Sequence, residues 1–183
     1  MKAVIQRVKN ASVSVDNVIK GKIDKGLLVY LGVAHNDTEK DADWLTDKTV
    51  NLRIFNDDEG KMNLSLKDLN AKEQEANSFS CEVVPPCSAV PSCSAVPSCA
   101  AVPYCSAILV ISQFTLLADS RKGRRPSWNG AAAPEKAKQL YEYFINEIKK
   151  QRLICECGEF QAHMTVTYTN DGPVTIILDT KEN

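Results

Sequence analysis

Three short stretches of the chain contain the residue types best suited to chemistry. The run from Ser112 to Thr115 (Ser-Gln-Phe-Thr) follows an apolar segment, and its hydroxyl and amide groups could attack or polarise a carbonyl. The basic stretch 121–126 offers arginine, whose guanidinium binds phosphate by paired hydrogen bonds. The stretch 170–175 (Asn-Asp-Gly-Pro-Val-Thr) indicates a turn. Taken singly, each has a plainer explanation, namely a structural hydroxyl, a solvated face and an ordinary turn.

The strands that would position these stretches alternate apolar with polar residues or are continuously apolar. Residues 3–8 and 12–23 alternate, with Asp16-Asn17 as a turn, and this pattern predicts a hairpin. The continuous apolar runs 26–33 and 108–111 predict strands buried on both faces. The second of these leads directly into the Ser-Gln-Phe-Thr run, so its hydroxyls would lie at a strand end. Further along, 160–169 and 174–178 predict two strands joined by a turn at 170–173.

Two helices are predicted from apolar residues at helical spacing. Asp37 is the expected N-cap of a helix that runs to about Leu52, and Pro134 is the expected first residue of another. The apolar faces comprise Ala42, Leu45, Thr49 and Leu52 in the first helix, and Ala137, Leu140, Tyr141, Phe144 and Ile148 in the second. Together the elements predict one α/β domain over residues 1–183, with mixed β-sheets and helices packed on one side.

Residues 71–107 differ in character from the rest of the chain. A cysteine recurs every six residues, at Cys81, Cys87, Cys93, Cys99 and Cys105, and proline recurs with it. Because proline is disfavoured in central strands, we expect an extended insertion in a surface loop. A thiol ladder that binds soft metals is the alternative, but the CxxC spacing typical of zinc sites is absent. Neighbouring repeat cysteines would be roughly 20 Å apart along an extended chain, too far for a direct disulfide.

Composition narrows the class of protein. The formal net charge of −1 argues against a protein that coats nucleic acid non-specifically, since that affinity comes from positive charge. The first fifteen residues alternate and lack the apolar core of a signal peptide, and no window approaches the roughly 18 apolar residues of a spanning helix. We therefore expect a cytoplasmic protein without a membrane role, with all seven cysteines as thiols.

The pairing of Ser-Gln-Phe-Thr-Leu at 112–116 with Asn-Asp-Gly-Pro-Val-Thr at 170–175 resembles the signature of D-aminoacyl-tRNA deacylases. The opening residues 1–8, the stretches 53–65 and 118–128, and Ala-His-Met at 162–164 also resemble that family. The resemblance covers about residues 1–70 and 108–180, and the cysteine repeat has no counterpart. It departs at Gln161 and His163, where glycine and aspartate are common.

This resemblance implies a homodimeric, metal-independent and cofactor-free tRNA hydrolase with α/β/β layers. It implies a cis Gly172-Pro173 bond, which proline permits at low cost. In the family this dipeptide reaches into the partner subunit's pocket, holds the substrate's amino group by its carbonyls and leaves no room for an L side chain. Glycine has no side chain to exclude, so glycyl-tRNA, including tRNA-Ala mischarged with glycine, is an expected second substrate. Positions near that element are matched by Arg7, Met164, Asn170 and Asp171, and Arg7 is expected to hold it in place.

For the chemistry, the resemblance implies that the backbone N–H groups of Gln113 and Phe114 stabilise the oxyanion of an aminoacyl ester. Thr115 matches a threonine regarded as a nucleophile, but a neutral hydroxyl needs a base, and the histidines of the chain are His35 and His163. Neither is an evident partner for it. We therefore favour attack by water that Thr115, and the terminal ribose hydroxyl of the tRNA, would orient.

The basic stretch then has an expected role in binding the phosphates of the tRNA acceptor end, through Arg121, Lys122, Arg124 and Arg125. Trp128 could stack on an unpaired base or lie in the core. Two rival hypotheses remain: a non-catalytic RNA-binding module, which turnover of D-tyrosyl-tRNA would separate, and a metal-handling repeat protein, which elemental analysis would reveal.

Overall fold

A computed structural model of the chain describes residues 1–79, 106–121 and 124–182. It confirms the predicted α/β class. The strands are β1 Lys2–Val15, β2 Val18–Ile23, β3 Gly26–Gly32, β4 Phe55–Asn56, β5 Met62–Leu64, β6 Ala107–Ser112, β7 Ile154–Cys157 and β8 Thr165–Asp179. The helices are α1 Glu39–Asn51, α2 Leu66–Phe79 and α3 Pro134–Lys150, with a 3-10 turn at Phe114–Leu117. Among these described helices, none is long and apolar enough to cross a membrane.

The main sheet is mixed, with strand order β2-β1-β3-β6-β7, and β8 pairs with β1. The β3–β6 and β6–β7 pairs are parallel, and β1 runs antiparallel to β2, β3 and β8. β3 therefore lies near the centre of the sheet, as its continuous apolar run predicts. The parallel strands β3 and β6 end side by side at Gly32 and Ser112, the kind of sheet edge where ligands commonly bind.

The two faces of this sheet are covered differently. One face packs against α1 and α3 in a large core, to which Leu45 and Phe144 contribute from the helices and Ile5 and Val29 from the strands. The other face carries a smaller cluster made of strand residues, among them Val8, Leu28 and Leu109. The helices therefore lie on one side, as predicted, and the second face buries strand residues against one another.

The hairpin at the start of the chain is confirmed, with one difference. Asp16 and Asn17 form its turn with φ of 49° and 63°, the left-handed region that short Asp and Asn side chains tolerate. The alternating segments 3–8 and 12–15 are one continuous strand, β1, because the same strand pairs first with β3 and then with β2. The β1 strand therefore links the whole sheet.

The predicted turn at 170–173 is wrong. The chain does not reverse there, because β8 continues antiparallel to β1 on both sides of it. Gln6 pairs with Thr175 and Val8 pairs with Asn170, so one residue of β1 faces residues 171–174 of β8. The extra residues form a local protrusion from the strand, which we call the 171–174 excursion. Residues 160–164, also predicted as strand, precede β8 as a turn and bend at 160–162 followed by two residues without regular structure.

The predicted start of the first helix also needs correction. Helix α1 begins one residue later than expected: Thr38 is its N-cap, in a capping box with Asp41. Asp37 is buried and accepts a hydrogen bond from the Ala34 N–H at 2.6 Å. The carboxylate therefore closes the turn before the helix and does not cap the helix itself.

The predicted cysteine-rich insertion, residues 71–107, overlaps a regular element at each end. Residues 71–79 belong to α2, in keeping with the helix-forming residues there. The Nδ2 of Asn70 donates to the Ser106 carbonyl at 2.8 Å, and Glu73 accepts from the Ser106 N–H and hydroxyl at 2.7 and 3.0 Å. Helix α2 is thereby joined to the start of β6. The five repeat cysteines lie outside the described residues, so the extended conformation predicted for them remains a prediction.

Candidate active site

A pocket of about 620 Å³ opens where the parallel strands β3 and β6 end. Leu31 and Ile111 line it from the strands, Val33 from the residue after β3, and Tyr141 from α3. Tyr141 donates from its hydroxyl to the Val110 carbonyl at 2.8 Å, and burial raises its pKa well above the usual range. The phenol therefore acts here as a neutral, fixed part of the wall. The mouth of the pocket adds Ser112, Gln113, Phe114 and Met164, all predicted site residues.

The backbone at the mouth of the pocket provides one donor, where two had been predicted. The Gln113 N–H donates to the Leu31 carbonyl at 2.8 Å, which continues the β3–β6 ladder one residue beyond β6. This N–H is therefore not available for an oxyanion, and the prediction that it is must be corrected. The Phe114 N–H begins the 3-10 turn and has no hydrogen-bond acceptor among the described residues. Of the two N–H groups predicted to stabilise an oxyanion, that of Phe114 is therefore the one left available.

Thr115 is exposed and lies just outside the residues that line the pocket. Its hydroxyl oxygen accepts a short hydrogen bond from the side-chain Nε2 of Gln113. A neutral amide donor cannot remove a proton, so this contact orients the hydroxyl without activating it. His35 is bonded through Nδ1 to the Gly130 carbonyl at 3.3 Å, and His163 lines the pocket.

The outer wall of the pocket comes from residues 160–164, before β8. Phe160 packs against Tyr141 with ring centroids 5.8 Å apart, and Met164 lies so close to Gly158 that a Cβ there would come within 2.4 Å of its sulfur. Gln161 has a φ of 65°, a left-handed conformation that favours glycine. Glutamine at this position places an amide on a wall that is otherwise largely aromatic and aliphatic.

The residues of the 171–174 excursion lie apart from those that line the pocket. Gly172 and Pro173 are exposed, and the peptide bond between them is cis, as predicted. Neither residue lines the pocket described above. Gly172 has a φ of 123°, and a Cβ on it would lie 2.9 Å from Arg7 Nη2. Only glycine fits that conformation and that space without a shift of its neighbours.

Arg7 and Gln6, consecutive residues of β1, hold the excursion. Arg7 is buried, and its Nε lies 3.2 Å from the Asp171 carbonyl and 3.1 Å from the Asp171 carboxylate. Its Nη1 donates to the Ile54 carbonyl at 2.5 Å, so Arg7 joins the excursion to the segment before β4. Gln6 Oε1 accepts from Asn170 Nδ2 at 2.8 Å and from Thr175 Oγ1 at 2.6 Å.

The basic stretch lies on an exposed loop closed by Asp119 and Ser127, which exchange backbone hydrogen bonds of 2.8 and 3.0 Å. We call it the 119–127 loop. Arg121 forms a two-point contact with Asp119, with Nε–Oδ1 and Nη2–Oδ2 distances of 2.9 and 2.6 Å. Arg124 and Arg125 are exposed, and no ion pair involves them among the described residues. Lys122 lies outside the described residues.

Trp128 follows this loop and lies on the surface, with 42% of its side chain exposed. It meets Phe114 edge to face, with ring centroids 5.8 Å apart and an interplanar angle of 65°. Phe114 is itself 59% exposed. Of the two positions considered for Trp128 from the sequence, the surface one is observed. The aromatic pair connects the basic loop to Phe114, a residue that lines the pocket.

Sequence reasoning missed Gln6. The sequence contains a signal for Arg7, a charged residue on the face of β1 that carries Ala3 and Ile5, but none for Gln6, whose face also carries Lys2 and Asn10. The Phe114–Trp128 contact had no such signal, because it depends on how the chain between the two residues returns.

The chain is similar to known proteins over its whole length. The family model described as D-Tyr-tRNA(Tyr) deacylase matches residues 4–74 and 98–179. A protein of Thermosipho melanesiensis named D-aminoacyl-tRNA deacylase is 48% identical over 183 residues, covering 100% of this chain and 99% of that one. One of the same name from Halothermothrix orenii is 47% identical over 182 residues, with the same coverage.

Two solved structures are similar in fold. One, titled c-Myc DNA Unwinding Element Binding Protein, has a TM-score of 0.74 and 33% identity and covers 98% of each chain. Another, titled as a probable eukaryotic D-amino acid tRNA deacylase, has a TM-score of 0.67 and 15% identity and covers 97% of each chain. The second likeness concerns the fold alone.

Proposed function

Because the chain belongs to the D-Tyr-tRNA(Tyr) deacylase family, we propose that it hydrolyses the ester that joins a D-amino acid to tRNA and rejects L-aminoacyl esters by shape. The observation that carries the proposal is the Phe114 N–H, which has no acceptor among the described residues, at the mouth of an apolar pocket. A single preorganised donor aimed at a developing oxyanion is worth about 10²–10³ in rate. An aminoacyl ester is already activated relative to an amide, so modest assistance suffices.

We propose that water is the nucleophile. Thr115 Oγ1 already accepts a hydrogen bond from Gln113, and its hydroxyl proton remains free to orient a water molecule. Positioning of the ester against that water and the Phe114 N–H then supplies the catalysis. Thr115→Val should lower turnover without abolishing it, and Thr115→Ser should restore it. Loss of all activity in Thr115→Val but not in Thr115→Ser, with a trapped acyl-enzyme in the wild type, would favour a nucleophilic threonine instead.

The chiral gate is proposed to be the 171–174 excursion of a second copy of the chain. Gly172 and Pro173 are exposed and absent from the wall of their own pocket, so a partner is needed to bring them to a substrate. Their carbonyls would bind the amino group, and their backbone would occupy the space that an L side chain requires. Glycyl-tRNA, including tRNA-Ala mischarged with glycine, has no side chain to exclude and should be cleaved.

A homodimer through β8 would complete the site. β8 is long, pairs with β1 among the described strands, and has no lysine or arginine along its length to block a further partner. Ile177 on this strand is 73% exposed. Replacing it by lysine should produce monomers in sedimentation equilibrium and abolish deacylation, whereas exposed Ile154→Lys on β7 should leave both unchanged. A fully active monomer would contradict the shared site.

The tRNA acceptor end would be held beside the pocket by the 119–127 loop and by Phe114 and Trp128. Arginine binds phosphate, and exposed aromatic rings stack on unpaired bases. The rival reading, a binding module without turnover, is compatible with the same surface. Incubation of the full chain with D-tyrosyl-tRNA separates them: we expect multiple turnovers of free D-tyrosine, and binding without release would establish the rival.

A further inference from the structure

We infer that Gln6 is a positioning residue for chiral discrimination, because one oxygen atom of its side chain fixes both ends of the 171–174 excursion. This inference rests on the proposed function of the excursion as the chiral gate. It assigns the holding of the gate to two consecutive residues of β1, of which the sequence alone had pointed to Arg7.

The register of β1 and β8 leaves the 171–174 excursion without backbone pairing to β1. Between the Gln6–Thr175 and Val8–Asn170 pairs, β1 has one residue and β8 has the residues 171–174. The backbone ladder is interrupted there, so it does not by itself determine how far apart Asn170 and Thr175 are, or at what angle the excursion leaves the strand. Contacts from side chains must determine it.

Gln6 Oε1 makes those contacts at the base of the excursion. It accepts from Asn170 Nδ2 at 2.8 Å and from Thr175 Oγ1 at 2.6 Å, which uses both lone pairs of the amide oxygen. Asn170 is oriented by this bond, since its own Oδ1 is buried without a partner among the described residues. Asn170 and Thr175 are the residues immediately before and after the excursion, so a common acceptor sets their separation.

Arg7 acts on the excursion itself and from the other face of the strand. Successive residues of a strand point to opposite faces, so Gln6 and Arg7 hold the same protrusion from two sides. Arg7 contacts the carbonyl and carboxylate of Asp171 and lies against Gly172. With Arg7 alone, the excursion would be held at one point and free to pivot about it.

The test compares Gln6→Met with Gln6→Glu. Methionine keeps the length and removes the acceptor, whereas glutamate keeps an acceptor oxygen for both donors. The ratio of kcat/KM for D-tyrosyl-tRNA to that for L-tyrosyl-tRNA should fall about tenfold in Gln6→Met, as expected when two hydrogen bonds are removed, and recover in Gln6→Glu. The fall should come from faster L cleavage as well as slower D cleavage.

A matched control separates positioning from simple weakening of the strand pair. Thr169 Oγ1 donates to Asn10 Oδ1 at 3.3 Å, a side-chain bond between the same two strands outside the excursion. Thr169→Val should leave the D-to-L ratio unchanged, whatever its effect on the melting temperature. Thr175→Val should lower the ratio, and adding it to Gln6→Met should lower it little further.

Hydrogen exchange of the backbone amides of residues 170–172, 174 and 175 provides a readout independent of activity. Exchange should accelerate in Gln6→Met and not in Gln6→Glu or Thr169→Val. If the intact chain shows no preference for D esters, the proposed function is wrong, and the exchange measurement still decides whether Gln6 fixes the excursion. If Gln6→Met keeps both the exchange pattern and the D-to-L ratio of the intact chain, the inference is overturned.

Discussion

The 171–174 excursion and the 119–127 loop both protrude into solvent, yet the chain holds them in opposite ways. The excursion is held from two faces by Gln6 and the buried Arg7, and it is connected through Arg7 to Ile54. The loop is closed by backbone bonds at its base, and the ion pair within it, Arg121–Asp119, is exposed. The first suits a task that depends on fractions of an ångström, and the second suits attraction of a flexible, charged partner.

The largest effect is expected when Arg7, which binds the excursion, is replaced. Arg7→Ala leaves the carbonyls of Asp171 and Ile54 without their donor and frees the excursion, and a displacement of about 1 Å can cost about 100-fold in rate. We expect kcat/KM for D-tyrosyl-tRNA to fall by that order. Lys9→Ala, an exposed cation on the same strand, is the control and should be near wild type. Equal losses in both variants would show that charge, not position, matters.

A smaller effect is expected from Gly172→Ala. The φ of 123° and the 2.9 Å approach of Arg7 Nη2 leave no place for a Cβ, and such backbone strain costs about 1–3 kcal/mol. The D-to-L ratio should fall roughly tenfold, because the excursion must move to relieve the strain. Gly60→Ala also has a positive φ, of 79°, but nothing within 4 Å of its Cβ position, and it should leave the ratio unchanged. An unchanged ratio in Gly172→Ala would mean that the excursion does not read chirality.

Beside the 119–127 loop, Trp128→Ala removes one ring of the Phe114–Trp128 pair. Loss of one stacked base is worth about 1–3 kcal/mol, so KM for tRNA should rise about tenfold while kcat stays nearly constant. The D-to-L ratio should not change. Met62→Ala, another exposed apolar side chain, controls for general surface effects. A large drop in kcat would instead indicate that Trp128 supports the Phe114 backbone.

Replacing Arg124 and Arg125 should have a smaller effect still. In Arg124→Ala/Arg125→Ala, the slope of log KM against log salt should become shallower by roughly 0.7 for each phosphate that the protein no longer binds. The exposed pair Lys138 and Lys149 on α3, both changed to alanine, is the matched control. Arg121→Ala should change the slope less, since Asp119 already engages it. Equal slopes in all variants would place the tRNA elsewhere.

The Arg121–Asp119 ion pair should also be insensitive to pH in the working range. Hydrogen bonds from Arg121 lower the pKa of Asp119 to about 2, so the interaction is complete above the usual carboxyl pKa and is lost only as pH falls through about 2. KM for tRNA should therefore show no step between pH 5 and 9 that disappears in Asp119→Asn.

No effect on catalysis is expected from removing residues 80–105. Asn70 and Glu73 bind Ser106, so the start of β6 is fixed to helix α2 by contacts that do not involve the deleted segment. With a short glycine-serine link, kcat/KM and the melting temperature should stay close to those of the intact chain, and the effect should be within roughly twofold. A strong loss would show that the cysteine repeat contributes to the site.

The sequence predicts most of the fold for a physical reason. β3 and β6 are continuous apolar runs buried on both faces, and α3 has its buried residues at helical spacing, so their apolar residues alone indicate their position. β7, with the exposed Ile154 and the charged Glu156 between two cysteines, has no such pattern and was missed. The excursion was misread as a reversal, because Asn-Asp-Gly-Pro favours any tight change of direction and does not tell a hairpin turn from a bulge in one strand.

The site was predictable only in part. Residues that one strand places could be predicted, whereas contacts that depend on the pairing of two strands could not. Ser112, Gln113 and Phe114 follow a recognisable buried strand, so their place at its end could be inferred. The hydrogen bond from the Gln113 N–H to the Leu31 carbonyl depends on the β3–β6 register. The hydrogen bonds from Asn170 and Thr175 to Gln6 depend on the β1–β8 register. Neither register is legible in one sequence read alone.

The most direct measurement is the rate at which the intact chain releases tyrosine from D- and from L-tyrosyl-tRNA under the same conditions, with glycyl-tRNA alongside. We predict rapid cleavage of the D ester, cleavage of the glycyl ester and no cleavage of the L ester above the spontaneous rate. Equal rates for the two tyrosyl enantiomers would contradict a gate that reads chirality by shape.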